Sequence, residues 1–130
     1  MNHSLSYMLV FLGGGIGSML RYVVNRIGSA WVGAVFPWTT LWVNVAGSFI
    51  MGLLAGWFAY RGEQSTQSLR LFLTTGLLGG FTTFSTFSLD AVFLWERGQC
   101  WASGGYVLAS LMFALAGLVG GLAVVRALVN

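Results

Sequence analysis

Charge is absent from four long stretches of this 130-residue chain, and that spacing restricts the available folds more than any other feature. The charged residues are six arginines, at positions 21, 26, 61, 70, 97 and 126, together with Glu63, Asp90 and Glu96. Between them, Ser4–Leu20 runs for 17 uncharged residues, Ile27–Tyr60 for 34, Leu71–Leu89 for 19 and Gly98–Val125 for 28. About 20 apolar residues in helical form cross the hydrocarbon core of a bilayer. Four crossings are therefore expected, and a chain that is 57% hydrophobic and 7% charged is not a soluble domain.

The expected fold is an all-α membrane protein forming a single domain over residues 1–130, with helices at about 5–26, 37–60, 69–96 and 99–126. The first run lacks a basic segment ahead of it and continues into Arg21 and Arg26, so it reads as a retained helix and not as a signal peptide. Pro37 suits the first turn of the second helix, and "RGEQSTQS" at 61–68 is a solvated loop. Cys100 has no second cysteine to pair with, and one thiol and His3 cannot form a metal cage, so both read as bystanders. A net charge of +3 carried by isolated arginines makes no nucleic-acid patch.

Glycines recur four residues apart at Gly13/Gly17, Gly52/Gly56, Gly76/Gly80 and Gly117/Gly121. On membrane helices this spacing lets backbones approach closely, where lipid removes the hydrophobic drive for association. The spacing leaves open whether the contacts lie within or between chains, though glycine faces on all four helices favour a dimer. With an even number of spans, Arg61, Arg70 and Arg126 fall on one side of the membrane and Arg21, Arg26 and Arg97 on the other. Three against three gives the positive-inside rule nothing to decide with. Such a chain is expected to insert both ways up, which permits an antiparallel dual-topology homodimer resembling the inverted repeats of transporters.

The third span concentrates polarity at its centre, in "GGFTTFSTFSLD" at 79–90. Two adjacent glycines weaken a helical backbone, and Thr82 and Thr83 compete for its hydrogen bonds, so a break is expected near 79–83. At mid-membrane depth, freed backbone is tolerated only when buried in protein, bound to an ion or lining a wet path. Phe84 and Phe87 then share one helix face, with Ser85, Thr86 and Ser88 beside them. Aromatic ring edges carry partial positive charge and so can face an anion. Thr40, Asn44 and Ser48 form a ladder on the second helix, and Ser103, Tyr106 and Ser110 cluster on the fourth. These uncharged donors point to an anion pathway; ordinary interhelical hydrogen bonding is the alternative use for them.

"GGGIGSMLRY" at 13–22, "TLWVNVAGS" at 40–48 and "TTGLLGGFTTFSTFS" at 74–88 together resemble the CrcB/Fluc fluoride exporters, bacterial and archaeal fluoride channels. The resemblance implies a dual-topology homodimer in the bacterial inner membrane, with two fluoride pores around a central structural sodium ion. It implies that Gly79 and Thr82 present backbone carbonyls to that sodium, that Phe84 and Phe87 are the pore phenylalanines and that Asn44 is the pore asparagine. Thr40 would lie near Asn44, Ser85 and Thr86 would belong to the polar track beside the rings, and Tyr106 and Ser110 to the track on the fourth helix. Ala114 stands where some members carry another hydroxyl, and Arg21 matches an arginine at a vestibule. Passive fluoride export, and so fluoride resistance, is the implied function; no enzyme activity is expected. The alternative is a small dual-topology multidrug/proton antiporter, which needs a membrane-embedded carboxylate. The first helix has none, and Asp90 reads as a packing or vestibule acid.

Overall fold

The computed structural model describes residues 2–62 and 67–130, so the centre of the polar loop expected at 61–68 lies outside the described residues. The described residues are helical with short connections: α1 (His3–Val32), α2 (Trp38–Arg61), α3 (Gln67–Arg70), a π-helical segment (Leu71–Leu78), α4 (Gly79–Phe81), α5 (Ser85–Glu96) and α6 (Cys100–Val129). From α3 to α5 the chain forms one broken span, Gln67–Glu96, so four helical segments are long and apolar enough to cross a membrane. The chain is a multi-pass membrane protein.

α1 is longer than the expected 5–26, because isolated arginines do not end a helix. Its stop is Gly33, whose φ of 80° suits glycine, and whose N–H returns to the Ser29 carbonyl. Arg21 and Arg26 consequently lie within α1 and not at its end. Pro37 is also displaced from the expected position: it precedes α2 with φ −80° and ψ 59°. The Trp38 N–H donates to the Phe36 carbonyl at 2.8 Å, which closes an inverse γ-turn about the proline.

The glycine pairs set the packing. A Cβ on Gly13 would come within 2.6 Å of the Phe72 carbonyl oxygen, and one on Gly17 would strike the Leu77 carbonyl. In return, a Cβ on Gly76 would meet Gly13 at 3.1 Å, and one on Gly80 would strike the Gly14 carbonyl. α1 and the first half of the broken span thus lie backbone to backbone. On the other side of the bundle, Gly52 meets the Leu118 carbonyl, Gly56 meets Val125, Gly117 faces the Val45 carbonyl and Gly121 meets the Phe49 carbonyl, so α2 and α6 form a second close pair. All four pairs find partners within their own chain. The close approach that these pairs permit is thus used within the chain.

Large side chains outside these seams form a small core: Val43, Phe58, Leu78, Phe87, Leu94 and Tyr106 are buried. Most other large apolar residues, including Phe11, Trp31, Trp101 and Leu128, face outward, as suits a lipid solvent.

Candidate functional site

The third span breaks two residues after the second of the two glycines. Gly79 and Gly80 keep helical geometry; Thr82 is extended, with φ −82° and ψ 158°, and α5 restarts at Ser85. Gly80 is held in the α1 seam, and the departure falls on the threonines that follow. The Thr82 hydroxyl donates back to the Leu78 carbonyl at 2.9 Å, adding a second bond to the one made there by the Thr82 N–H.

Asn44 on α2 closes the break. Its Nδ2 donates to the Thr83 carbonyl at 2.9 Å, and its Oδ1 accepts from the Thr83 N–H at 2.8 Å. One side-chain amide thus replaces both helical bonds lost by one residue, in a part-buried setting where water is scarce. Gly47, one turn along α2, leaves room for Thr82, because a Cβ there would strike the Thr82 methyl.

Two carbonyls are released by the same arrangement. In a continuous helix Gly79 would accept from the Thr83 N–H, and Thr82 from the Thr86 N–H. Here the Thr83 N–H goes to Asn44, and the Thr86 N–H goes to the Thr83 hydroxyl at 3.3 Å. Main-chain oxygens freed from the ladder are ligands that suit a hard cation, so Gly79 and Thr82 fit the role expected of them. Ser18 reaches the neighbouring Gly80 carbonyl at 3.5 Å.

A cavity of about 270 Å³ opens beside the break. Asn44, Gly47, Ser48 and Met51 of α2 form one wall, and Ser110, Leu111, Ala114 and Leu118 of α6 another. Thr82, Thr83, Phe84 and Phe87 complete it, and among the described residues none that lines it is charged. Ser110 is buried, and its hydroxyl has no hydrogen-bond partner among the described residues. A buried hydroxyl without a partner costs about 1–3 kcal/mol, so a further hydrogen-bond partner would be favourable here. Phe84 and Phe87 stand 5.5 Å apart between ring centroids and are tilted by 52°. Phe87 is buried, whereas Phe84 is 74% exposed.

The expected site residues therefore divide. Asn44, Phe84, Phe87 and Ser110 meet at the cavity together with Ser48, and Ala114 presents only a methyl there. Thr40 and Tyr106 instead form a separate buried cluster about Asp90: the Tyr106 hydroxyl donates to Asp90 Oδ2 at 3.3 Å, and the Thr40 side chain also hydrogen-bonds the carboxylate. Asp90 is thus a packing acid at the α2–α5–α6 junction. Ser103 donates to the Ala91 carbonyl at 2.7 Å, an ordinary interhelical bond. Ser85 is exposed and Thr86 half-buried, and neither lines the cavity. Arg21 is half-buried and continues the Gly13/Gly17 face of α1 by one more turn, beyond the contact of Gly17 with Phe81. The pairing of Asn44 with Thr83 was missed by sequence reasoning. The i, i+4 ladder on α2 identified the correct face but carries no sign of its partner.

Residues 8–122 match the family described as CrcB-like protein, Camphor Resistance (CrcB). Curated relatives align over nearly their full lengths. A protein of Rhodopseudomonas palustris named fluoride-specific ion channel FluC is 52% identical over 95% of this chain and 99% of the relative. Proteins of the same name from Methylobacterium nodulans and Rhizobium etli are each 53% identical, over 94% and 92% of this chain and 97% and 95% of their own lengths.

Proposed function

The chain belongs to the CrcB-like family, a family of ion channels and not of enzymes, and on that premise we propose that it is a fluoride channel giving passive fluoride export across the bacterial inner membrane. One observation carries the proposal: Asn44, Phe84, Phe87 and the buried Ser110 together line a cavity at a break in a membrane helix, and among the described residues none that lines it is charged. Fluoride is small and strongly hydrated, so its passage requires closely placed donors to replace water. Ser110 and Ser48 offer hydroxyls, and Asn44 retains a second amide hydrogen beyond the one given to Thr83. The ring edges of Phe84 and Phe87 supply partial positive charge without the tight binding of a full cation. Among the described residues, no carboxylate lines this cavity.

The working unit is an antiparallel dual-topology homodimer with two pores. One feature supports it: the carbonyls of Gly79 and Thr82 are freed from the helical ladder, and two copies would together offer four such oxygens. A sodium ion held by Gly79 and Thr82 of each copy would supply fixed positive charge near the path of the anion. Asn44 holds the Thr83 backbone so that these oxygens stay released. Thr40, Ser85, Thr86 and Tyr106 lie off the cavity and would act as extensions of the polar track, with Arg21 drawing anions to one mouth. The antiporter alternative is disfavoured, because Asp90 is engaged by Tyr106 and Thr40 away from the cavity.

Purified protein in liposomes loaded with fluoride should release it, whereas chloride-loaded vesicles should stay full. Ser110→Ala should slow efflux. Equal release of both anions, or none of fluoride, would sink the proposal.

A further inference from the structure

Five aromatic rings run in unbroken contact from the α1–α2 connection to the cavity. Trp38 and Phe36 lie 4.6 Å apart, Phe36 meets Tyr106 edge-on at 5.6 Å and 87°, Tyr106 meets Phe87 at 5.3 Å, and Phe87 meets Phe84 at 5.5 Å. Trp38, Phe87 and Tyr106 lie in helices, Phe84 lies in the break just ahead of α5, and Phe36 comes from the α1–α2 connection. That connection is constrained where it enters α2. Pro37 fixes its own φ, and the γ-turn bond from the Trp38 N–H to the Phe36 carbonyl sets the Phe36 backbone relative to the start of α2.

Tyr106 sits between Phe36 and Phe87 and is fully buried. Its hydroxyl donates to Asp90 at 3.3 Å, which holds one end of the ring. Contacts with the rings of Phe36 and Phe87 fix the rest of it. Phe87 in turn has Tyr106 on one side and Phe84 on the other, and Phe36 also packs against the cluster formed by Phe87, Leu94 and Tyr106.

We propose that Phe36 is a positioning residue for the anion path: held by the Pro37 turn, it presses Tyr106 against Phe87 and so sets the angle at which the Phe87 edge meets the cavity. The proposal rests on the fluoride-channel reading above for its flux consequence, but not for its geometric one. An edge-on aromatic pair contributes beyond the area it buries, and a tilted Phe87 ring presents less of its positive edge. Phe36→Leu should therefore slow fluoride efflux by about three- to tenfold, and Phe36→Tyr, which keeps the ring, should restore most of it.

A double-variant cycle separates this role from general packing. With Tyr106→Leu already in place, Phe36→Leu should add no further loss of flux, because the link to Phe87 is gone. Independent, multiplicative losses would overturn the proposal, as would a Phe36→Leu protein with wild-type flux. As a second measurement, 4-fluorophenylalanine incorporated at position 87 gives a ring ¹⁹F resonance readable in micelles without any transport. Pro37→Ala, which loosens the turn while leaving every ring in place, should shift or broaden that resonance. An unchanged resonance would overturn the proposal even if Phe36→Leu failed to fold. A wild-type protein without fluoride flux but with the Pro37-sensitive resonance would refute the channel reading and leave the ring coupling standing.

Discussion

Asn44→Ala tests the physical account of the helix break. The substitution deletes two hydrogen bonds of 2.9 and 2.8 Å and leaves the Thr83 N–H and carbonyl unpaired in a part-buried position. Interhelical hydrogen bonds in membranes average about 0.6 kcal/mol, which sets a lower bound near 1 kcal/mol for the two. Stranding a buried polar group costs about 1–3 kcal/mol, so two stranded groups that partly recover each other's company through local rearrangement place the expected loss at about 1–4 kcal/mol. The loss should appear as earlier unfolding in a denaturing-detergent titration followed by tryptophan fluorescence. Hydrogen exchange at the Thr83 amide should accelerate in the same variant. Asn44→Asp is the matched contrast, since it keeps an acceptor for the Thr83 N–H but places a second acceptor against the Thr83 carbonyl; it too should destabilise, with the Thr83 amide staying protected. If Asn44→Ala unfolds with the wild type and the Thr83 amide exchanges no faster, Asn44 does not close the break. A loss of flux in that variant would then belong to direct contact with the anion.

Phe84→Ile and Phe87→Ile should each strongly reduce fluoride efflux while the protein stays folded, because isoleucine keeps apolar bulk without a polarised edge; wild-type flux in both would reduce the rings to packing. Buried Phe87 should also lose about 1 kcal/mol of stability on that change, and exposed Phe84 little in the single chain, as read by the same detergent titration. Gly17→Ala should destabilise by about 1–3 kcal/mol, since its Cβ would strike the Leu77 carbonyl, whereas Gly15→Ala, with open space around it, should be neutral; equal behaviour of the two would disprove the backbone seam. A C-terminal reporter should be found on both sides of the membrane, and two lysines added within 61–68 should bias it to one side and lower flux when that variant is expressed alone.

The sequence by itself determined the membrane class, the four spans, the site of the break to within a few residues and the family, because each rests on local information. Hydropathy run length is set by bilayer thickness, a glycine pair followed by two threonines weakens its own helix, and the 74–88 motif is contiguous. What only the tertiary structure decided is which groups meet. The polar ladder on α2 is one face in sequence, yet Thr40 turns to Asp90, Asn44 to Thr83 and Ser48 to the cavity, since the three successive turns of α2 pass different partners. The glycine spacing announced close approach but left open whether the partner was internal; α1 with the broken span and α2 with α6 answer that, because only the paired backbones show which small faces coincide. Phe36 carried no signal at all, for its place against Tyr106 depends on a proline turn two spans away in sequence and adjacent in space.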